Sequence, residues 1–275
     1  MPKNWLITGT STGIGRTMVE QLLCRGDRVV ATLRQEGPLD DLKDQFSHSL
    51  VTMTMDLTDV RTIKKSVQSA FSSLGRIDVA VSNAGYALFG AGEEVSDGQI
   101  DRQIATNLTG SIQFIRAVLP HMRAQGGGRI VQISSEGGQV AYPNFSLYHA
   151  TKWGIEGFIQ SVSQEVAPFD IDFLIAEPGP TSTNFAAGID HAKVIEAYDS
   201  TPAGDVRRAL NSGSFGSFSD VERTVSTIIA CADETNPPLR LALGTSTYRN
   251  IRSALNARLD MLERNKLLTI SVDSL

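Results

Sequence analysis

The stretch Asn4–Gly26, NWLITGTSTGIGRTMVEQLLCRG, has the pattern of a strand, a glycine-rich turn and a helix. Apolar residues dominate Asn4–Thr8, and the glycines Gly9, Gly13 and Gly15 follow. Glycines let the backbone approach a pyrophosphate closely, and the amino end of the next helix favours its negative charge. The stretch therefore predicts a dinucleotide site, although a glycine-rich turn alone is weak evidence. A P-loop is not supported, because no G-K-[ST] follows the turn.

Short apolar runs alternate with helical patterns along the rest of the chain. Predicted strands cover 4–8, 28–33, 50–55, 77–81, 128–134, 171–176 and 239–243, and predicted helices cover 16–25, 60–74, 101–122, 146–167, 220–232 and 247–264. Such alternation predicts a parallel sheet with helices on both faces. The predicted fold is α/β: a single catalytic domain over 1–275 with a Rossmann-type doubly wound parallel β-sheet of about seven strands.

Composition narrows the class of protein. The 275 residues carry a net charge of −5, which argues against a nucleic-acid partner because backbone phosphates would be repelled. The absence of a long apolar run and of a secretory signal predicts no membrane contact and a cytoplasmic location. Cys24 and Cys231 lie far apart, and two buried free thiols are favoured over a disulfide or a metal site.

A second stretch, Ile133–Phe158, contains three residues suited to acid–base chemistry. Tyr148 and Lys152 lie four residues apart, which places them on one face of a helix for which Ser146 is a candidate N-cap. A lysine one turn away stabilises a phenolate and lowers the tyrosine pKa from its usual value of about 10. Ser135 could hold the substrate oxygen. The spacing also occurs by chance in many helices, and Lys152 could simply pair with Glu156 on a solvated face.

Two predicted strand ends bear on the type of dinucleotide. Sites that prefer NAD usually carry an acidic residue after the second strand, whereas Arg34 stands here. A guanidinium suits the 2′-phosphate of NADP, although a surface arginine is the simpler alternative. Asp56 follows the third strand and could cap the next helix or accept a hydrogen bond from an adenine amino group.

Further small and polar residues follow the remaining strands. Asn83, Ala84 and Gly85 could let backbone lie against a ligand or could form a simple tight turn. Asn107 is a poor helix-interior residue, so its side chain is expected to bond a specific group. Thr181 follows the sixth strand, where a hydroxyl could reach a cofactor. Because ligands bind at the carboxyl ends of parallel strands, these weak signals converge on one edge of the sheet.

The pattern weakens between 184 and 219, and this stretch is predicted to be a substrate-binding loop or lid. Four phenylalanines could line an apolar pocket or could equally pack in the core or at the surface: Phe145, Phe185, Phe215 and Phe218.

Together these residues resemble the short-chain dehydrogenase/reductase (SDR) family over about residues 4–185. The resemblance is carried by Thr8-Gly9-x-x-x-Gly13-Ile14-Gly15, Asp56-Leu57, Asn83-Ala84-Gly85, Asn107, Ser135, Tyr148-x-x-x-Lys152 and Pro178-Gly179 with Thr183. The chain looks most like NADP-preferring ketoreductases and 17β-hydroxysteroid or retinol-dehydrogenase-like members. It departs from the family pattern at Ser82, where asparagine is usual, and at Thr12, where NADP-dependent members often carry a basic residue.

The resemblance implies an NADP(H)-dependent oxidoreductase that interconverts a carbonyl and a secondary alcohol. Tyr148 would be the acid/base, Lys152 would lower its pKa and hold the nicotinamide ribose, Ser135 would orient the substrate oxygen, and Asn107 would complete a proton relay through a water. Cofactor contacts are expected from Gly9, Ser11, Thr12, Gly13, Ile14, Gly15, Arg34, Asp56, Leu57, Asn83, Ala84, Gly85, Tyr148, Lys152, Pro178, Gly179, Thr181 and Thr183.

The expected partner is a small-molecule ketone or alcohol, and NAD(H) is less favoured than NADP(H). The resemblance also implies a homodimer or homotetramer that pairs the long helices near 107–124 and 146–167. One alternative is an NADP-binding sensor or scaffold that lost the chemistry, but such proteins usually lack the tyrosine or lysine. An enoyl reductase is disfavoured because it expects a wider tyrosine–lysine spacing.

Overall fold

The computed structural model describes residues 2–183, 188–213 and 218–273. The strands are β1 (Asn4–Thr8), β2 (Arg28–Leu33), β3 (Leu50–Thr54), β4 (Val79–Ser82), β5 (Leu88–Phe89), β6 (Gly128–Ile133), β7 (Ile171–Pro178), β8 (Asp190–His191) and β9 (Arg240–Leu243). The helices are α1 (Gly13–Cys24), α2 (Asp40–Gln45), α3 (Val60–Leu74), α4 (Asp97–Ile104), α5 (Ser111–Ala124), α6 (Ser146–Val166), α7 (Pro202–Asn211), α8 (Val221–Asp233), α9 (Thr245–Arg264) and α10 (Lys266–Ile270).

Seven strands form one parallel sheet in the order β3-β2-β1-β4-β6-β7-β9. The chain runs outward from β1 to β3, then returns to β4 and continues in the opposite direction along the sheet. The order therefore reverses between β1 and β4, and a crevice for a ligand forms at the carboxyl ends of strands at such a point. The prediction of a doubly wound Rossmann-type sheet is confirmed.

Alternating side chains of the buried strands divide the interior into two cores. Trp5 and Ile7 of β1 belong to a cluster that includes residues of α1 and α8. Leu6, between them, belongs to the cluster on the other face, which includes residues of α3, α5 and α6. All three side chains are fully buried, and burial of each stabilises the fold by roughly 1.5–3 kcal/mol. Helices on both faces are therefore required to exclude water from the side chains of β1.

The long helix predicted over 101–122 is interrupted. Helix α4 begins earlier, at Asp97, because Ser96 and Gln99 form a reciprocal capping box. A π-helical turn over Ala105–Gly110 then separates α4 from α5. Such turns are rare and often mark functional sites, and this one contains Asn107.

Other boundaries shift by a few residues. The largest change at the site is in β7, which extends two residues beyond Ala176 because Glu177 and Pro178 pair with Ala242 and Leu243 of β9. The pairing partner lies more than sixty residues away in sequence, so no local pattern could predict this extension.

The stretch 184–219 contains more regular structure than its sequence pattern suggests. Helix α7 begins at Pro202 and is capped by Thr201, whose hydroxyl oxygen accepts from the Ala203 N–H at 3.2 Å. Strand β8 pairs in parallel with β5. The Asn144 Nδ2 also donates to the Ala203 carbonyl oxygen at 2.7 Å, so the described part of this segment is anchored to the domain at two places.

Candidate active site

The carboxyl ends of β1, β4, β6 and β7 bring most of the predicted residues to one edge of the sheet. The glycine-rich turn after β1 lies against the loop after β7, since a methyl group added at Gly13 would lie 3.4 Å from the Thr183 Cβ. The two segments are 170 positions apart in sequence, and the sheet order makes them neighbours.

The glycine-rich turn is shaped to expose backbone. Gly9 and Gly13 have φ angles of 69° and 57°, which L side chains rarely adopt. A Cβ on Gly15 would lie 2.3 Å from the Gly9 carbonyl oxygen. Thr12 precedes α1, but its side chain does not cap the helix. The amino end of α1 therefore presents N–H groups that the Thr12 side chain leaves unsatisfied, a set of donors that fits a pyrophosphate.

The other residues of this turn have different surroundings. Ser11 and Thr12 are exposed, so both remain accessible to a ligand. Ile14 is partly buried and packs against the core under α1. Its side chain therefore anchors the turn.

Asn83 joins the ends of β1 and β4. Its Nδ2 donates to the carbonyl oxygens of Thr8 and Gly9, each at 2.9 Å. The Thr8 hydroxyl oxygen accepts from the backbone N–H groups of Asn83 and Ala84 at 2.9 and 3.1 Å. The amide donors of Asn83 are thus used within the protein, which leaves its oxygen for a cofactor contact.

The ends of β2 and β3 present one cation and one anion. Arg34 is exposed directly after β2. Asp56 accepts from the Thr58 N–H and hydroxyl, each at 2.8 Å. The possibility that Asp56 caps the next helix is wrong, because Asp59 caps α3 by accepting from the Arg61 N–H at 2.8 Å. Leu57 is buried, so a cofactor could contact only its backbone.

Ser135, Tyr148 and Lys152 converge at the start of α6. The Tyr148 hydroxyl is hydrogen-bonded to the Ser135 side chain. The Lys152 Nζ lies 5.5 Å from the centre of the Tyr148 ring and donates to the Ile133 carbonyl oxygen at 2.9 Å. Tyrosine and lysine therefore share one face of the helix, as predicted. The predicted N-cap is wrong by one residue, since Ser146 is the first helical residue and Phe145 holds the cap position without a side-chain bond.

Burial decides the proton affinities of this pair. Burial, together with the charges of Glu136 and Glu156 and against the opposing bond to Ser135, raises the pKa of Tyr148 to about 12. The prediction that Lys152 makes this phenol unusually acidic is therefore wrong for the protein alone. Burial lowers the pKa of Lys152 to about 8, against the opposing charge of Glu156. Tyr148 is thus a proton donor at neutral pH, beside a lysine that is easily deprotonated.

Asn107 is held by the backbone of the loop after β4. Its Nδ2 donates to the Tyr86 carbonyl oxygen at 2.8 Å, and its Oδ1 accepts from the Tyr86 N–H at 3.1 Å. Gly85 lies directly against this amide, since an added Cβ would lie 3.2 Å from the Asn107 Oδ1. The expected specific bond of Asn107 is therefore to protein backbone.

The loop after β7 is packed against the start of α9. A Cβ on Gly179 would lie 2.3 Å from the Thr247 Oγ1, so only glycine fits there. The Thr181 hydroxyl donates to the Gly179 carbonyl oxygen at 3.0 Å. Pro178 ends β7, and Thr183 follows at the border of the described residues.

Sequence reasoning missed a buried charge cluster behind Lys152. Glu156 and Glu177 are almost fully buried, and the Arg240 Nη1 lies 2.5 Å from a carboxylate oxygen of each. The Ser134 hydroxyl donates to Glu156 at 2.5 Å, and the Gln139 Nε2 donates to both oxygens of Glu177 at 2.8 Å. A glutamate at the end of an apolar strand, directly before Pro-Gly, was the available signal. The alternative of a solvated Lys152–Glu156 pair is wrong because both side chains are buried.

Aromatic side chains form one wall beside Tyr148. Phe145 has its ring centre 6.3 Å from that of Tyr148 and 5.0 Å from that of Phe89. Phe218 is exposed, and Phe185 and Phe215 lie outside the described residues.

Three broader expectations can be compared with the described residues. Within them, no helix is long and apolar enough to cross a membrane. Across 2–183, 188–213 and 218–273, no three His, Cys, Asp or Glu residues form a cluster that could hold a metal. The prediction of two buried thiols is half wrong, because Cys231 is buried but Cys24, at the end of α1, is exposed.

The fold and the glycine-rich turn at this edge define an α/β protein of the dinucleotide-binding class. The family model described as short chain dehydrogenase matches residues 3–193. The chain belongs to this family, as the resemblance suggested, and it is an oxidoreductase of that family. "Oxidoreductase BOA17" of Botryotinia fuckeliana is 36% identical to it over 246 residues, which cover 89% of each chain.

Solved structures agree with this assignment. A short-chain dehydrogenase from Streptomyces avermitilis superposes with a TM-score of 0.92 at 32% identity, over 99% of this chain and 98% of the other. ElxO, solved with NADP bound, gives a TM-score of 0.70 at 25% identity, over 86% of this chain and 93% of the other. Proteins of this architecture therefore bind nicotinamide dinucleotides.

Proposed function

We propose that the protein is an NADP(H)-dependent alcohol dehydrogenase or ketoreductase that interconverts a carbonyl and a secondary alcohol. One observation carries the proposal: a half-buried tyrosine hydrogen-bonded to Ser135, with Lys152 on the same helix face, lies at the edge of the sheet that also holds the glycine-rich turn. The NADP-preferring ketoreductases and the 17β-hydroxysteroid or retinol-dehydrogenase-like members remain the nearest subtypes by resemblance.

In the reducing direction, the bound cofactor supplies a hydride to the carbonyl carbon. Tyr148 donates its phenolic proton to the carbonyl oxygen, so that the C=O double bond becomes a C–O single bond and an O–H bond. Its raised pKa keeps that proton in place at neutral pH. Ser135, bonded to the same phenol, positions the substrate oxygen and stabilises the charge that develops on it.

Lys152 stabilises the tyrosinate left after the proton transfer and holds the nicotinamide ribose. The cation–π distance of 5.5 Å supports the first role, since it keeps the ammonium beside the ring that becomes charged. Because the amide of Asn107 is bonded to Tyr86, a proton relay would use the Asn107 backbone carbonyl. The π-helical turn favours this, since it breaks the regular pairing of helix carbonyls.

Arg34 supports NADP(H) over NAD(H). It is exposed after β2, where the adenosine ribose is held in dinucleotide folds, and its guanidinium would bind a 2′-phosphate. Residues 184–219 are proposed as the lid over the substrate, with 1–275 as one catalytic domain. The substrate would be a small ketone or alcohol, and the cytoplasmic location stays a prediction.

A sensor or scaffold that binds NADP without chemistry is the alternative. The complete set of Asn107, Ser135, Tyr148 and Lys152 favours the enzyme, because a binding protein does not need all four.

The test is Tyr148→Phe, with NADPH oxidation followed over a panel of ketones. We expect turnover to fall at least about a thousandfold, because the proton donor is lost, while NADPH affinity changes little. If the wild-type protein binds NADPH tightly but turns over no ketone or alcohol, the result would support the sensor hypothesis. A variant within tenfold of wild type would contradict the role of Tyr148.

A further inference from the structure

The C-terminal helix α9 begins against the domain and then leaves it. Near its start, Thr247 and Ile251 are buried. Every described residue from 255 to 273 is exposed. One contact along the projecting half fixes its direction, because the Arg258 guanidinium lies 5.1 Å from the centre of the Trp153 ring of α6. Helix α9 therefore extends beside α6 with little burial of its own.

This projecting helix carries an apolar stripe. Tyr248, Leu255, Leu259 and Leu262 are 47–58% exposed, and they follow one another at intervals of seven, four and three residues. At 3.6 residues per turn these positions lie on one helix face, and Ile251 continues the same face toward the domain. The opposite face carries Ser253 and Ala257. The face of α9 that packs against the domain in its first turns is thus exposed to solvent further along the helix.

The exposed area is larger than a compact monomer needs. The surface of the chain is 14037 Å². A compact monomer of 29.7 kDa exposes about 11,600 Å². The whole chain therefore exposes about 2,400 Å² more than a compact monomer, against roughly 800 Å² that each partner contributes to an interface of standard size.

We propose that the stripe of Tyr248, Leu255, Leu259 and Leu262 is an interface with a second copy of this chain. Apolar residues at seven-, four- and three-residue intervals form the contact surface of paired helices. Across a two-fold axis, the stripes of two copies would pack against each other. This contact adds to, and differs from, the pairing of α5 and α6 that the family resemblance implies.

Two further features support a second copy as the occupant. A groove of about 330 Å³ at the start of the stripe can receive a side chain of the copy, and it is lined by Ala242, Tyr248, Ile251, Arg252, Leu255 and Asn256. Trp153 is 43% exposed beside Arg258, so the stripe continues onto the outer face of α6. A membrane surface is kept as an outcome of the test, because α9 carries Arg249, Arg252, Arg258 and Arg264 against Asp260 and Glu263.

The test compares two variants of the full chain, each with added glutamates on α9, by sedimentation at micromolar concentration. The first, Leu255→Glu/Leu259→Glu/Leu262→Glu, places charges in the stripe. The control, Ser253→Glu/Ala257→Glu, places them on the opposite face of the same helix. We expect the mass of the first to be half that of wild type, with a dissociation constant raised more than a hundredfold, and the mass of the control to be unchanged.

A cysteine test locates the contact independently of mass. In a Cys24→Ser background, which removes the exposed native thiol, Leu259→Cys should form an intermolecular disulfide under mild oxidation, whereas Ala257→Cys should not. A monomeric wild type, or a stripe variant that keeps the wild-type mass, would overturn the proposal. A third outcome is that the wild type does not self-associate but binds phosphatidylcholine–phosphatidylserine vesicles, whereas the stripe variant does not bind them. This outcome would assign the stripe to a membrane instead.

Discussion

Tyr148 and Lys152 show how burial and charge act in opposite directions on one pair of side chains. Burial moves the tyrosine pKa upward to about 12 and the lysine pKa downward to about 8, so each neutral form is favoured. The spacing in the sequence correctly predicts that the two residues share a helix face. It does not predict the desolvation, because that depends on segments that pack around the pair from elsewhere in the chain.

These shifts predict an alkaline limit to catalysis. The Lys152 ammonium loses its proton as pH rises through about 8, so kcat/KM for ketone reduction should fall above that pH. Tyr148 should not contribute, because it stays protonated up to about 12. The measurement is a pH profile of kcat/KM with NADPH. Lys152→Arg, which keeps the charge, should shift the limit upward even if the rate is lower, and a flat wild-type profile to pH 10 would contradict the assignment.

Arg34 carries the prediction of cofactor preference. Arg34→Ala should weaken NADPH binding at least about tenfold, because a charge-assisted phosphate contact is lost, and should leave NADH binding nearly unchanged. Equilibrium titration of both cofactors provides the measurement. Arg61→Ala removes an arginine that is 94% exposed on α3 and serves as the control. Equal losses for NADPH and NADH would remove the argument for a 2′-phosphate contact.

At the scale of elements, the strand ends are held together by small residues and by Asn83. Gly9 is one point of close approach, because an added Cβ would lie 2.6 Å from the Cα of Ala84 after β4. The sequence predicted the glycine-rich turn and the Asn-Ala-Gly turn separately. The parallel pairing of β1 and β4 makes them contact each other, so each shapes the surface offered to a dinucleotide.

The contact between these turns can be tested with matched glycine substitutions. Gly9→Ala and Gly26→Ala both place a side chain at positive φ, but Gly26 has open space around it. We expect Gly26→Ala to cost about 1 kcal/mol and Gly9→Ala to cost about 1–3 kcal/mol more, with weaker NADPH binding. Urea unfolding and cofactor titration provide the measurements. Similar losses of stability for the two variants would mean that the close approach of the turns is unimportant.

At the scale of the whole molecule, the sheet gathers charges from distant segments into one buried cluster. Glu156 comes from α6, Glu177 from β7 and Arg240 from β9. Burial and the charge of Glu156 raise the pKa of Glu177, and Arg240 opposes this. The cluster therefore depends on one arginine to hold two carboxylates in the interior, directly behind Lys152.

Loss of that arginine should destabilise the fold. Arg240→Met leaves two buried carboxylates without their cation and should cost about 3–5 kcal/mol at pH 7. A carboxyl group whose pKa is raised in the folded state stabilises the fold as pH falls through that pKa. The loss of stability caused by Arg240→Met should therefore be smaller at pH 5 than at pH 7. Denaturant unfolding at both pH values gives the measurement. The exposed control Arg61→Met should change stability little, and a deficit that does not depend on pH would contradict the account.

The sequence by itself determined the strand–turn–helix start, the alternation that builds the parallel sheet, and the spacing of Tyr148 and Lys152. These are local properties, because side-chain periodicity and backbone freedom act over a few residues. Only the tertiary structure decided that a π-helical turn holds Asn107, that Arg240 joins two buried glutamates, and that α9 leaves the domain. Each of these depends on which distant segments become neighbours, and on how much water they exclude.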